Sequence, residues 1–424
     1  MVSKEQWVEI IKDFQEKELP NIIPRDVQIP LDLPINRAIT IIGPRRAGKT
    51  YVMYQLITEL LKRVKKEQIL YINLEKSGLG VTTSKDLYSL LETFYEIYPQ
   101  NKKINTYFFL DEIHTVENWE GFVRTCLDDG LKIYLSGSSS KMLSKEIATS
   151  MRGRSLSYSV FPFSFKEFLQ AKKISLTNYS STEKAKVMNS FREYFTYGGY
   201  PETILFPQER EKILEEILEV TIYRDVIERT KIRNTKALKL LIEALINAKE
   251  FSIHKFYNYL KTIGIKISKN TLYQYIDALN DAFFVFLLRK FAFSYKKAEQ
   301  SIPKPYIIDN GFYLTKGTDN KSLLMENLIF IELLRRKEDT AYYSYQSGEV
   351  DFLTKKVKKV TSLIQVCYDT TNYTTKERET KALIQASKEF KCNNLQIITW
   401  DEEKEETIQN KKIKFIPLWK WLLA

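Results

Sequence analysis

Residues 43–50, GPRRAGKT, set two glycines around four intervening residues and follow them at once with a lysine and a threonine. Gly43 and Gly48 permit a tight backbone path. The amides of Pro44's neighbours, Arg45, Arg46 and Ala47, together with a helix N-terminus, can then point at phosphate oxygens. In this spacing Lys49 neutralises the β- and γ-phosphates and Thr50 places its hydroxyl on Mg²⁺. A second constellation is YFFLDEIH at 107–114. A run of apolar and aromatic residues ends in Asp111-Glu112, which fits a buried strand presenting acids at its C-terminal edge. Asp111 would hold Mg²⁺ through water and Glu112 would polarise an attacking water. The predicted chemistry is hydrolysis of ATP with Mg²⁺.

These groups require a strand before the loop and a helix after it. AITII at 38–42 reads as a buried strand, and YVMYQLITELLKRVKK carries apolar residues at helical spacing. QILYINLE at 68–75 and LKIYLSGSSS at 131–140 supply further strands of a parallel sheet. The second of these ends in small hydroxyl residues. Ser138 or Ser139 is placed to sense a γ-phosphate, with Ser139 taken as the site candidate; a plain loop of small residues is the alternative. A helix is expected at 141–150, followed by Met151-Arg152-Gly153-Arg154 and the strand-like SLSYSVF. Arg154 is a candidate arginine finger on a neighbouring subunit, with Arg152 behind it, since a guanidinium can neutralise charge on a transferred phosphoryl group. A surface arginine is the competing reading. His114 reads as a capping or packing residue beside the acidic pair.

The bulk numbers set the frame. At roughly 150 residues per domain, 424 residues make two or three domains. With 44% hydrophobic and 28% charged residues the chain is of the folded class. Cys126, Cys367 and Cys392 are far apart and His114 and His254 stand alone, which excludes a cysteine-histidine zinc module and a disulfide scaffold. The charged first residues, MVSKEQWVEIIKDFQEKEL, fit no secretory signal, and no uncharged apolar stretch approaches the ~20 residues of a membrane span. A cytoplasmic protein with no membrane partner is expected. A net charge of +12 suits nucleic acid, or a lysine-rich surface that keeps the chain dissolved.

IIGPRRAGKT, YFFLDEIHTVENWEGFVRTCLDDG, YLSGSSSKMLSKEIATSMRGRSLSYSVFPFSFKEFL and YGGYPE together resemble the archaeal and bacterial AAA+-type ATPases that carry a DUF4143 region. By that resemblance Gly43, Gly48, Lys49 and Thr50 are Walker A, Asp111 and Glu112 are Walker B, and Arg154 lies in an R-G-R segment. By the same resemblance, many relatives carry Asn where this chain has Ser139. The resemblance also implies a C-terminal PD-(D/E)XK nuclease-like domain. Such a site needs acids on a helix and two strands so that Mg²⁺ can orient water. Glu326 and Asp351 match the first two positions. At the third, Gln365-Val366-Cys367 replaces the acid-x-Lys, and Asp369 is a substitute only if its strand runs on unbent. A vestigial site of Glu326, Asp351 and Gln365 is therefore expected, serving binding or scaffolding.

The fold class expected is α/β: a P-loop NTPase parallel sheet, then helical and winged-helix regions, then a restriction-endonuclease-like α/β domain. The expected division is 1–160 for the ATPase, 161–235 for a helical lid or linker, 236–300 for a winged helix-turn-helix and 301–424 for the nuclease-like domain. Within the third part, Ser268-Lys269-Asn270-Thr271 starts a helix with Tyr273, Gln274 and Tyr275 on a recognition surface, FFVFLLRKFAF reads as paired strands, and His254 packs or caps. YGGYPE at 197–202 is a break between helices and lacks the lysine of a phosphate loop. Three functions stay open: an ATPase coupled to double-stranded DNA or a protein client, an ATP-regulated DNA endonuclease, and a nucleotide-dependent protein-interaction switch. A homo-oligomer is expected if Arg154 acts in trans.

Overall fold

The computed structural model describes residues 2–76, 80–81, 83–138, 151–175, 180–345, 348–357, 359–371 and 373–424. Two compact units divide the chain, Met1–Phe161 and Pro162–Ala424. The protein is α/β, with a parallel sheet followed by a helical region and a mixed-sheet domain.

In the first unit five parallel strands run in the order β2-β3-β4-β1-β5. They are β1 (Ala38–Ile42), β2 (Ile69–Asn73), β3 (Tyr107–Asp111), β4 (Lys132–Gly137) and β5 (Ser155–Ser159). All five residues of β1 and of β3 are buried, as near-continuous apolar runs must be when helices cover both sheet faces. Helix Lys49–Leu60 follows β1 and buries Val52, Met53, Leu56, Ile57 and Leu60, a stripe at helical spacing against Ile39, Ile41, Phe109 and Tyr134. Phe109 and Tyr134 stack with centroids 4.3 Å apart, tying β3 to β4. Because β4 lies between β1 and β3, its C-terminal end falls between the GPRRAGKT loop and the acidic pair. The helix expected at 141–150 lies outside the described residues.

The second unit opens with helices Phe165–Ala171, Ser181–Tyr197, Pro201–Leu205 and Arg210–Val220, the last running on into a wider π-helical stretch, Thr221–Glu228. Helices Thr235–Asn247, Ile253–Thr262 and Lys269–Asp281 come next, then a two-stranded antiparallel sheet of β6 (Val285–Leu288) and β7 (Lys304–Ile307). FFVFLLRKFAF thus supplies one strand, not two; its partner comes from KPYI. Tyr275 belongs to a buried stripe with Leu272, Ile276 and Leu279, so it leaves the surface expected for it, whereas Tyr273 and Gln274 are exposed.

A six-stranded mixed sheet completes the unit in the order β12-β13-β11-β10-β9-β8. Its strands are β8 (Asp339–Tyr345), β9 (Gly348–Lys356), β10 (Lys359–Cys367), β11 (Leu395–Thr399), β12 (Lys404–Ile408) and β13 (Lys411–Pro417). Helices Lys321–Arg335 and Tyr373–Phe390 belong to this part. Val350, Leu353, Leu363, Leu383, Ile397 and Phe415 lie in its core.

Candidate nucleotide site

The GPRRAGKT loop is fixed before any ligand is considered. Gly43 sits so close to the end of β5 that a Cβ would collide with the Val160 carbonyl oxygen, while Val160 N–H donates to Ile42 O at 2.7 Å. Only glycine fits there. On the other side Arg25 is buried, and its guanidinium donates to Ala47 O at 2.7 Å and to Phe161 O at 2.6 Å. Nothing in the local sequence around Arg25 marks it for this role.

Lys49 and Thr50 begin the helix that follows. The Lys49 ammonium donates to Gly43 O and Pro44 O, both at 3.2 Å, and lies 3.3 Å from Glu112 Oε1. Thr50 Oγ1 donates to Asp111 Oδ2 at 2.7 Å. The structure therefore brings together four residues in two pairs distant in sequence, Lys49 with Glu112 and Thr50 with Asp111. Arg45 turns aside to Glu75, 2.9 Å away, and Arg46 occupies left-handed backbone with φ of 60°.

Asp111 is fully buried and accepts from the side chains of Thr50, Tyr71 (OH at 2.9 Å), Asn73 (Nδ2 at 3.4 Å) and Ser136. Burial still raises its carboxyl above the ordinary range, against those donors. Glu112 goes the other way. Burial pushes its carboxyl up, but Lys49, His114 and Arg45 outweigh that and hold it below the ordinary range. Its backbone is left-handed, with φ of 53°, and its N–H donates to Ser136 Oγ at 2.8 Å. A non-glycine residue in that region stores strain, a pattern common at functional sites. His114 Nδ1 is 3.3 Å from Glu112 Oε2, so it packs beside the pair.

Ser136 is another residue that sequence reasoning missed: one hydroxyl joins the Asp111 carboxylate and the Glu112 amide. Ser138, one residue beyond β4, is fully buried, and its Oγ has no hydrogen-bond partner among the described residues. Ser139 lies outside the described residues. Arg154 precedes β5, whose first residue pairs with Ala38 at the start of β1, so it stands at the sheet end opposite the GPRRAGKT loop. It pairs with Asp128 and is not brought to its own chain's Lys49 or Asp111.

Among the described residues no group of three His, Cys, Asp or Glu side chains could hold a metal ion. The first unit offers instead a hydroxyl and one buried carboxylate, Thr50 and Asp111, a donor set that suits Mg²⁺ shared with phosphate and water.

In the second unit Glu326, Asp351 and Gln365 also converge. The Asp351 amide donates to Gln365 Oε1 at 3.2 Å, and Asp351 Oδ2 accepts from Val366 N at 3.0 Å. Gln365 Nε2 donates to Glu379 from helix Tyr373–Phe390. Asp369 is exposed and bonded to Thr371, so it does not take the third position. Cys367 is buried, and burial pushes its thiol up to about 11, which keeps it an uncharged filler. Lys304, which no sequence pattern singled out, places its ammonium among these acids.

Fold and site together define an ATP-binding P-loop ATPase domain: residues 35–169 match the AAA domain family. The chain belongs to the same family as the uncharacterized protein MJ1544 of Methanocaldococcus jannaschii, with 40% identity over 431 residues, 98% of this chain and 94% of that one. An uncharacterized protein of Haemophilus influenzae is 27% identical over 377 residues, 87% of each chain. Residues 188–322 match a domain of unknown function, DUF8612; neither the DUF4143 region nor the nuclease-like domain implied by the resemblance is shown by these matches. Among solved structures, the Walker-type ATPase of Pyrococcus abyssi aligns with 75% of this chain and 96% of its own, at 13% identity and a TM-score of 0.45. Among the described residues no helix is long and apolar enough to cross a membrane.

Proposed function

We propose that the chain hydrolyses ATP with Mg²⁺ and couples nucleotide state to DNA or protein binding by its second unit. The observation that carries this reading is the paired arrangement of Lys49 with Glu112 and Thr50 with Asp111. The backbone N–H groups of Gly43 and of residues 45–50 would donate to phosphate oxygens at the N-terminus of helix Lys49–Leu60. Thr50 and Asp111 would hold Mg²⁺, which supplies charge neutralisation for the leaving phosphates. Lys49 exchanges its carbonyl and Glu112 partners for phosphate oxygens. That exchange frees an ionised Glu112 to orient water. Ser138, just past the strand end nearest the acidic pair, supports γ-phosphate sensing there; Ser139 is retained as a candidate from sequence alone. Arg154, remote from its own loop, fits a role only on a neighbouring copy.

DNA is favoured as partner by one feature of the second unit. Three helices followed by the β6-β7 pair have the order of a winged helix, and Lys255, Lys261, Lys266, Lys269 and Tyr273 are exposed on the second and third helices or the turn between them. His254 accepts from Lys269 Nζ at 2.8 Å, which suits a surface role rather than catalysis. The deciding experiment is Mg²⁺-dependent ATP turnover by the full chain with and without duplex DNA, beside Lys49→Ala. Absence of turnover removes the ATPase reading. Turnover that DNA leaves unchanged removes DNA coupling and favours a protein client.

A further inference from the structure

The acid cluster of the second unit is arranged around a cation the chain already owns. Lys304 Nζ lies 2.7 Å from Glu349 Oε1, 3.4 Å from Asp351 Oδ1 and 4.0 Å from Glu326 Oε2. Its side chain is 1% exposed and passes over the Tyr342 ring at 5.3 Å. Register fixes it as well, since Lys304 pairs with Leu288 at the start of β7. Glu349 and Asp351 are two apart on β9 and so share a face of the sheet, while Glu326 comes from helix Lys321–Arg335.

We propose that the Lys304 ammonium is the resident cation of this cluster, taking the place a divalent ion would need, so that Glu326, Glu349 and Asp351 are held together without metal. A hard divalent ion requires oxygen ligands at about 2.0–2.6 Å and six or more of them. An ammonium already within 2.7–4.0 Å of the three carboxylates occupies the position from which such an ion would have to reach them. Burying an ammonium is costly unless it is paired, and this one has three carboxylates and an aromatic face. Burial works to lower its proton affinity, and Asp351, Glu326 and Glu349 more than reverse that. None of this depends on ATP hydrolysis, because every residue involved belongs to the second unit.

The test is Mn²⁺ titration of the nucleotide-free full chain, reading free Mn²⁺ by its electron paramagnetic resonance signal. Wild type and Asp351→Asn should bind the same amount of Mn²⁺. Lys304→Met should gain one bound ion, and the gain should vanish when Asp351→Asn is added. Should Lys304→Met fail to fold by circular dichroism, Lys304→Met with Glu349→Gln removes one negative charge along with the positive one and carries the same expectation. Mn²⁺ binding in wild type that Asp351→Asn abolishes would overturn the proposal. So would a folded Lys304→Met chain that gains none.

Discussion

Lys49 Nζ lies 3.3 Å from Glu112 Oε1, so the cation for phosphate and the acid for water neutralise each other across the first unit's site. The two should then fail differently when removed. Lys49→Ala is expected to lose nucleotide affinity and turnover together. Glu112→Gln keeps the phosphate ligands, so nucleotide should still bind while turnover falls by about 10²- to 10³-fold. Equilibrium binding of a fluorescent ATP analogue, run beside single-turnover hydrolysis, separates the two outcomes. Equal loss of binding in both variants would argue that Glu112 is structural.

Ser136 gives the second prediction. Ser136→Ala removes a donor from Asp111 and leaves the Glu112 N–H buried without its acceptor. Loss of such a buried partner costs about 1–3 kcal/mol, readable in urea unfolding. A carboxylate that loses a donor also holds its proton more tightly. Asp111, already raised by burial, should rise further. The Mg²⁺ concentration for half-maximal turnover should therefore increase in Ser136→Ala, and increase more at pH 6 than at pH 8. An unchanged Mg²⁺ requirement at both pH values would separate Ser136 from the metal ligand.

Gly198 in YGGYPE has φ of 73° and ψ of −159°, backbone that only glycine adopts readily. A Cβ there would overlap the Asp309 carboxylate, and one on Gly199 would overlap the Phe163 carbonyl oxygen. Gly198→Ala should therefore cost more than the ~1 kcal/mol of an ordinary helix-end substitution, because conformation and collision act together. Thermal unfolding followed by tryptophan fluorescence checks it; Gly121→Ala, in open space within helix Trp119–Asp128, is the control expected to be neutral or to stabilise by up to about 1 kcal/mol.

What the sequence made legible follows from range. GPRRAGKT announces itself because its chemistry is contiguous and sits at a strand-helix junction, and Asp111-Glu112 because an apolar and aromatic run ends there. Ser136 carried no such signal. Its importance arises from β4 lying between β1 and β3, an order that no local pattern encodes. Lys304 was hidden for the same reason: it is 47 residues from Asp351 and reads as the polar first residue of a short strand. Tyr275 is a different lesson. Leu272, Tyr275, Ile276 and Leu279 already have the i, i+3, i+4, i+7 spacing of a buried face, and periodicity alone places the tyrosine inside. β12 and β13 escaped notice because KEETI and KKIKF are too charged to read as strands away from their partners.

Asp309 supplies the pH-dependent prediction. Its two oxygens accept separately, Oδ2 from Gly199 N at 2.8 Å and Oδ1 from Gly311 N at 2.9 Å. Burial nonetheless pushes its carboxyl from 3.8 up to about 7, against those two bonds. Between these values the folded chain holds a proton that the unfolded chain has released. Stability from this group is therefore greatest below the unfolded value, falls as pH rises through the window, and levels off above about 7. At roughly 1.4 kcal/mol for each tenfold change in proton affinity, the whole window is worth a few kcal/mol at most. Asp309→Asn cannot titrate, and it loses at least one acceptor to the glycine amides. Its deficit relative to wild type should be largest near pH 5 and shrink by pH 8, measured by urea unfolding at both. A deficit that is constant across the window, or grows with pH, would mean that Asp309 is ionised throughout and that the two amides outweigh its burial.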